Sequence, residues 1–130
     1  MQLGYAILYV PDVPATLTFY QAAFGLTTRF VHESGDYGEL ETGSTALAFS
    51  SHALMQQLGK NPQAASPTAP CFEIALCTPD VPAALARAVA AGATPMRPVE
   101  VMPWGQTIAY VPDVHAHGVV GTFLVAASAC

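Results

Sequence analysis

Pro11-Asp12-Val13-Pro14-Ala15 recurs, letter for letter, as Pro79-Asp80-Val81-Pro82-Ala83, about half the chain later. Around it Leu17 matches Leu85, and Ala22-Ala23 matches Ala90-Ala91. A repeat this long, present in two copies, describes a duplicated supersecondary unit. A solenoid array would need three or more copies to bury its faces. The chain of 130 residues is the size of one domain, so both copies must share a single fold.

Each copy opens on a strand. Leu3, Tyr5, Ile7 and Tyr9 share one face of the first, and Ala6, Leu8 and Val10 share the other. In the second copy Cys71, Glu73, Ala75 and Cys77 alternate with Phe72, Ile74 and Leu76. The all-apolar faces are expected to lie under helices. Asp12 and Asp80 are suited to cap those helices, because a short carboxylate accepts the orphan N–H groups of a first turn. Pro14 and Pro82 fall where a missing N–H costs little. Val13, Leu17, Tyr20 and Phe24 form one helical stripe; Val81, Leu85, Ala88 and Val89 form another. Gly25 and Gly92 stand where a left-handed cap is wanted.

Strands are then expected near Thr27–His32, Tyr37–Glu41 and Thr45–Ser51, and in the second copy near Thr94–Glu100, Gln106–Val111 and His117–Val125. Residues 59–69, with Pro62 and Pro67, read as a linker between a first module of about residues 1–58 and a second of about 70–130. The expected fold class is α+β: two βαβββ modules in one domain, forming a cupped mixed sheet with the helices on its outer face.

The composition excludes several roles. Lys and Arg number only 4 against a net charge of −5, and the cations are scattered, so a nucleic-acid surface is not expected. No apolar run reaches the roughly 18 residues of a membrane span. The N-terminal stretch has no basic region and no cleavage site, which reads as a cytoplasmic chain. Cys71 and Cys77 are too far apart along one strand to pair, and reduced thiols are the simple expectation. Only 10% of the residues are charged, and such a surface is expected to be partly covered by a second copy of the chain.

The order of elements, with Tyr9–Phe24 as a strand leading into a Phe-Tyr helix, resembles the vicinal oxygen chelate superfamily, also called the glyoxalase/bleomycin-resistance family. Phe72–Ala93 and Pro103-Trp104-Gly105-Gln106 carry the same resemblance. It implies two cups facing one another, and often a homodimer. It also implies metal ligands on the first and fourth strands of each module in the metal-dependent members. By motif those positions fall on Tyr5, Phe49, Glu73 and Thr122. One carboxylate, one phenol, one hydroxyl and one phenyl ring are a poor set for a divalent ion, which needs about three N or O donors. No metal and no cofactor are therefore expected. The alternative is a divalent site built from Glu73, His115 and His117, since His-x-His on a strand puts both imidazoles on one face.

Without a metal the cup becomes an apolar cavity with a few polar handles. Tyr5, Ile7, Tyr9, Phe49, Glu73 and Thr122 are expected to line it, with Trp104, Tyr37 and Met102 at its rim. Glu73 stands in an apolar strand, so burial would demand a partner or raise its pKa. The leading expectation is a binding protein that sequesters an apolar or cationic small organic molecule. The alternatives are a metal-dependent lyase, isomerase or dioxygenase, and a non-catalytic interaction domain.

Overall fold

The computed structural model describes residues 1–66, 69, 72–111, 122–126 and 130. Strand β1 (Tyr5–Val10) leads into helix α1 (Val13–Phe24), then β2 (Thr28–Val31), β3 (Tyr37–Leu40), β4 (Ala46–Ser51) and the short helix α2 (His52–Gln57). The second module repeats the pattern with β5 (Ile74–Thr78), α3 (Val81–Ala90), β6 (Glu100–Val101), β7 (Thr107–Val111) and β8 (Thr122–Ala126). The two sheets have the same order, β1-β4-β3-β2 and β5-β8-β7-β6. In each, the first strand runs parallel to the fourth, and the remaining pairs are antiparallel.

The repeated pentapeptide does the same work twice. The Ala15 amide donates to Asp12 Oδ1 at 3.0 Å, and the Ala83 amide to Asp80 Oδ1 at 2.9 Å. Both helices carry proline in their first turn. Helix α1 ends on Gly25, whose φ of 69° only glycine adopts without strain. Arg87 of α3 reaches this end, with Nε donating to the Ala22 carbonyl at 2.9 Å and Nη2 to the Gln21 carbonyl at 3.2 Å. A guanidinium at a helix C-terminus meets the negative end of the dipole, and here it supplies a donor to the Ala22 carbonyl beside the Gln21 carbonyl that the Gly25 N–H already caps. The modules are thus joined helix to helix.

One core runs through both. Val10, Val13, Leu17, Tyr20, Leu40 and Phe49 from the first module are buried in a cluster with Val81, Ala88, Ala109, Val111 and Leu124 from the second. Gly38 lies under α1: a Cβ there would meet Leu17 Cδ1 at 2.7 Å. Only glycine lets the sheet and helix approach this closely.

Two expectations are corrected. The strand expected at Thr94–Glu100 is reduced to the two residues of β6, because Pro95 and Pro98 have no N–H to give a ladder. The cysteines are not all reduced: Cys77 and Cys130 form a disulfide, with Cα atoms 6.4 Å apart. Parallel pairing of β5 with β8 sets Cys77 opposite Val125, in the strand that leads to Cys130, a neighbourhood that strand periodicity alone did not reveal.

Candidate ligand face of the first sheet

Strand periodicity sorts the first sheet into two faces. Ala6, Leu8 and Val10 of β1 stand opposite Leu47, Phe49 and Ser51 of β4 on the helix side. Tyr5, Ile7 and Tyr9 stand opposite Ala46, Ala48 and Ser50 on the other side, and β3 continues that row with Glu39 opposite Ala48 and Tyr37 opposite Ser50. Phe30 of β2 stands opposite Glu39, next to a shift in register at Thr28/Phe30. The helix-free face is therefore a floor of small residues walled by large ones. Ala48 and Ser50 are buried, whereas Tyr5 is 52% exposed, Ile7 47% and Phe30 48%. A contiguous apolar surface of this kind marks a binding surface.

Its polar group is Glu39. The Tyr37 hydroxyl donates to Glu39 Oε1 at 2.8 Å. Arg29 Nε lies 3.8 Å from Glu39 Oε2 and 3.9 Å from Glu41 Oε2. The side chain of Glu39 keeps only 12% of its exposure. Burial pushes the Tyr37 phenol up to about 12, assisted by its hydrogen bond to Glu39 and by the Glu39 charge; Tyr5 adds to the rise and Arg29 opposes it. At the other end of the face, Lys60 Nζ donates to the Tyr9 hydroxyl at 2.9 Å and stands 5.2 Å from its ring centroid. The face thus combines aromatic walls with one largely buried carboxylate, an arrangement that can receive a flat molecule bearing a cation or hydrogen-bond donors.

Of the residues expected from sequence, the structure brings Tyr5, Ile7, Tyr9 and Tyr37 together here. It takes Phe49 away: the ring is fully buried on the helix side, with its centroid 5.2 Å from that of Tyr20. Side chains alternate along a strand, and Phe49 falls in the row of Leu47 and Ser51 on the helix side rather than in that of Ala48 and Ser50. Glu73 is exposed just ahead of β5, and no described residue forms an ion pair or hydrogen bond with it, so the buried carboxylate expected there is not found. Thr122 stands opposite Ile74 and Val111 in the ladders of β8. Trp104 is 69% exposed, and its indole N–H donates to Gln106 Oε1 at 2.9 Å. Met102 closes the same turn, its amide donating to the Gln106 carbonyl at 2.8 Å. Neither belongs to the face of the first sheet. His115 and His117 lie outside the described residues. Among the described residues no three His, Cys, Asp or Glu side chains are grouped so as to hold a metal ion. No helix among them is long and apolar enough to cross a membrane.

Glu39 was the residue missed. Its signal was the alternation Tyr37, Glu39, Glu41 against Gly38 and Leu40, which sets a carboxylate in line with the aromatic positions of the strand.

A second hollow, a cleft of about 820 Å3, lies between the modules. Phe24, Leu26 and Leu47 line it from the first, and Leu76, Ala84 and Arg87 from the second. None of Tyr5, Ile7, Tyr37 and Glu39 reaches it.

The family described as the Glyoxalase/Bleomycin resistance protein/Dioxygenase superfamily matches residues 2–118. No curated protein matches the chain. Among solved structures, a glyoxalase/bleomycin resistance protein/dioxygenase family enzyme from Burkholderia phytofirmans PsJN is similar at 19% identity. That match has a TM-score of 0.76 and covers 98% of this chain and 99% of the other. A glyoxalase-related enzyme from Fulvimarina pelagi superposes with a TM-score of 0.78 at 22% identity, over 97% of this chain and 88% of that one. A lactoylglutathione lyase from Agrobacterium tumefaciens does so with a TM-score of 0.66 at 17% identity, over 96% and 92%. Identities this low carry the fold alone.

Proposed function

Since the chain belongs to the Glyoxalase/Bleomycin resistance protein/Dioxygenase superfamily, whose fold hosts both catalysts and binding proteins, we propose that it is a small-molecule-binding protein that takes an organic cation without a metal. The ligand lies on the helix-free face of the first sheet. The observation that carries this reading is Glu39, a largely buried carboxylate among Tyr5, Ile7, Phe30 and Tyr37.

The donor set argues against a resident ion. The positions facing one another on β1 and β4 are Tyr5 with Ala46, Ile7 with Ala48 and Tyr9 with Ser50, and these six side chains offer hydroxyls but no carboxylate, imidazole or thiolate. Glu39 already accepts from Tyr37 and has a guanidinium beside it, which repels a divalent cation. The carboxylates exceed the guanidinium here, with Glu39 and Glu41 around Arg29, so the local balance still favours a single positive charge on the ligand.

A sheet face becomes a cavity only when something covers it. A second copy of the chain is the proposed cover, consistent with the exposed Tyr5, Ile7 and Phe30 and with a composition only 10% charged. Thermal-shift measurements with a panel of aromatic and aliphatic organic cations, in the presence of a chelator, test the proposal. At a hundred times its dissociation constant a ligand stabilises the native state by about 2.7 kcal/mol. The wild type should respond to cations and not to their neutral isosteres, and Glu39→Gln should lose the response. Equal shifts in wild type and Glu39→Gln would remove the basis of the reading.

A further inference from the structure

Cys77 occupies a position that the ligand face does not use. It lies on β5, the edge strand of the second sheet, and all five residues of β5 line the cleft between the modules. Among the described residues the strand is hydrogen-bonded on one side only, to β8, through a ladder of five residue pairs, and its residues line the cleft. The partner of Cys77, Cys130, lies beyond the end of β8 at Ala126, so the disulfide adds a covalent tie between β5 and the chain that follows β8, the strand it pairs with.

Both cysteines are exposed. Exposed disulfides are open to attack by a small thiolate, whereas buried structural ones are shielded from it. The tie is also not the one that joins the modules: Arg87 does that through the Gln21 and Ala22 carbonyls, with no redox chemistry. Opening the disulfide therefore leaves the two halves docked and releases only the wall of the cleft.

We propose that Cys77–Cys130 is a thiol-reversible modification site that sets how firmly β5 is held along the inter-module cleft. A small thiol such as glutathione, as thiolate, attacks one sulfur of the pair, forming a mixed disulfide and expelling the other cysteine as a thiolate. A second glutathione attacks the mixed disulfide. The products are two protein thiols and one glutathione disulfide, with two electrons passing from glutathione to the protein. Oxidation runs the same steps backwards.

The test uses the whole, natively folded chain in mixtures of reduced and oxidised glutathione, with free thiols alkylated and counted by mass. Hydrogen exchange is followed on peptides covering β5 and β1. The oxidised chain should show one free thiol, from Cys71, and the reduced chain three, with interconversion needing no denaturant. Exchange in β5 should rise at least tenfold on reduction, while β1 in the first module stays unchanged. Cys130→Ser should exchange like the reduced chain in either mixture, and Cys71→Ser should keep the full response. If Cys130→Ser does not fold, the comparison of reduced and oxidised wild type still decides. Three free thiols in the oxidising mixture, resistance of the native pair to glutathione, or equal β5 exchange in both states would each overturn the proposal.

Discussion

The Tyr37 hydroxyl donates to the Glu39 carboxylate across 2.8 Å, two residues apart on one strand and on the same face of the sheet. That bond holds the carboxylate toward the open side and keeps the phenol protonated. Burial is the larger cause of the raised Tyr37 pKa, near 12, and Glu39 adds to it. In the folded chain the phenol therefore binds its proton more tightly than in the unfolded one. The associated stability is fully present below about pH 10, the ordinary tyrosine value, and is lost as pH rises through about 12. Spectrophotometric titration of wild type against Tyr37→Phe should assign to Tyr37 an ionisation near 12. Glu39→Gln should move it back toward its ordinary range without reaching it, since burial remains.

Phe49 and Tyr5 should answer differently to truncation. Phe49→Ala opens a cavity against Tyr20 and should cost about 3–5 kcal/mol in urea unfolding. Tyr5→Ala removes a half-exposed ring and should stay within about 0.5 kcal/mol at dilutions where the chain is monomeric, while weakening ligand binding.

Gly38→Ala should destabilise the chain by about 1–3 kcal/mol, because the added methyl would stand 2.7 Å from Leu17 Cδ1 and 3.2 Å from Val13 Cγ1. The buried side chains of Leu17 and Val13 would have to shift. Denaturant unfolding measures the loss.

Arg87→Met should cost about 1 kcal/mol, because it removes the guanidinium bonds to the Ala22 and Gln21 carbonyls, the second of which keeps the Gly25 amide as a donor. Gly25→Ala should cost about 1 kcal/mol or more, from its left-handed backbone and from a Cβ that would meet Arg87 Nη1 at 2.7 Å. The double variant should cost less than the sum, since Met in place of Arg relieves the clash, and a double-mutant cycle in urea reads the difference.

The duplicated architecture was legible because the pentapeptide carries its own local physics: an aspartate that caps, a proline that tolerates the first turn and a valine that packs. Alternation put Tyr5, Ile7 and Tyr9 on one face of β1, and the ladder sets Tyr37, expected at the rim, on the same side of the sheet. Phe49 was expected in the cup by motif, but its ring is buried on the helix side against Tyr20, and neighbouring residues of a strand face opposite ways. Glu73 was expected to be buried on the strength of apolar neighbours, but it precedes β5 and meets solvent. Glu39 drew no notice because an acid in a half-exposed strand is ordinary in sequence; only the ladder shows aromatic residues around it. The disulfide depends on β5 lying beside β8, a contact between residues far apart in the chain.

The most direct measurement is a backbone amide NMR titration of the chelator-treated protein with benzyltrimethylammonium. Saturable shifts should gather on Ile7, Tyr37, Glu39 and Ser50 and vanish in Glu39→Gln. Shifts confined to Ala23, Leu47 and Ala84 around the inter-module cleft, or shifts that arise only once a divalent metal is added, would contradict the assignment of this face as the binding surface.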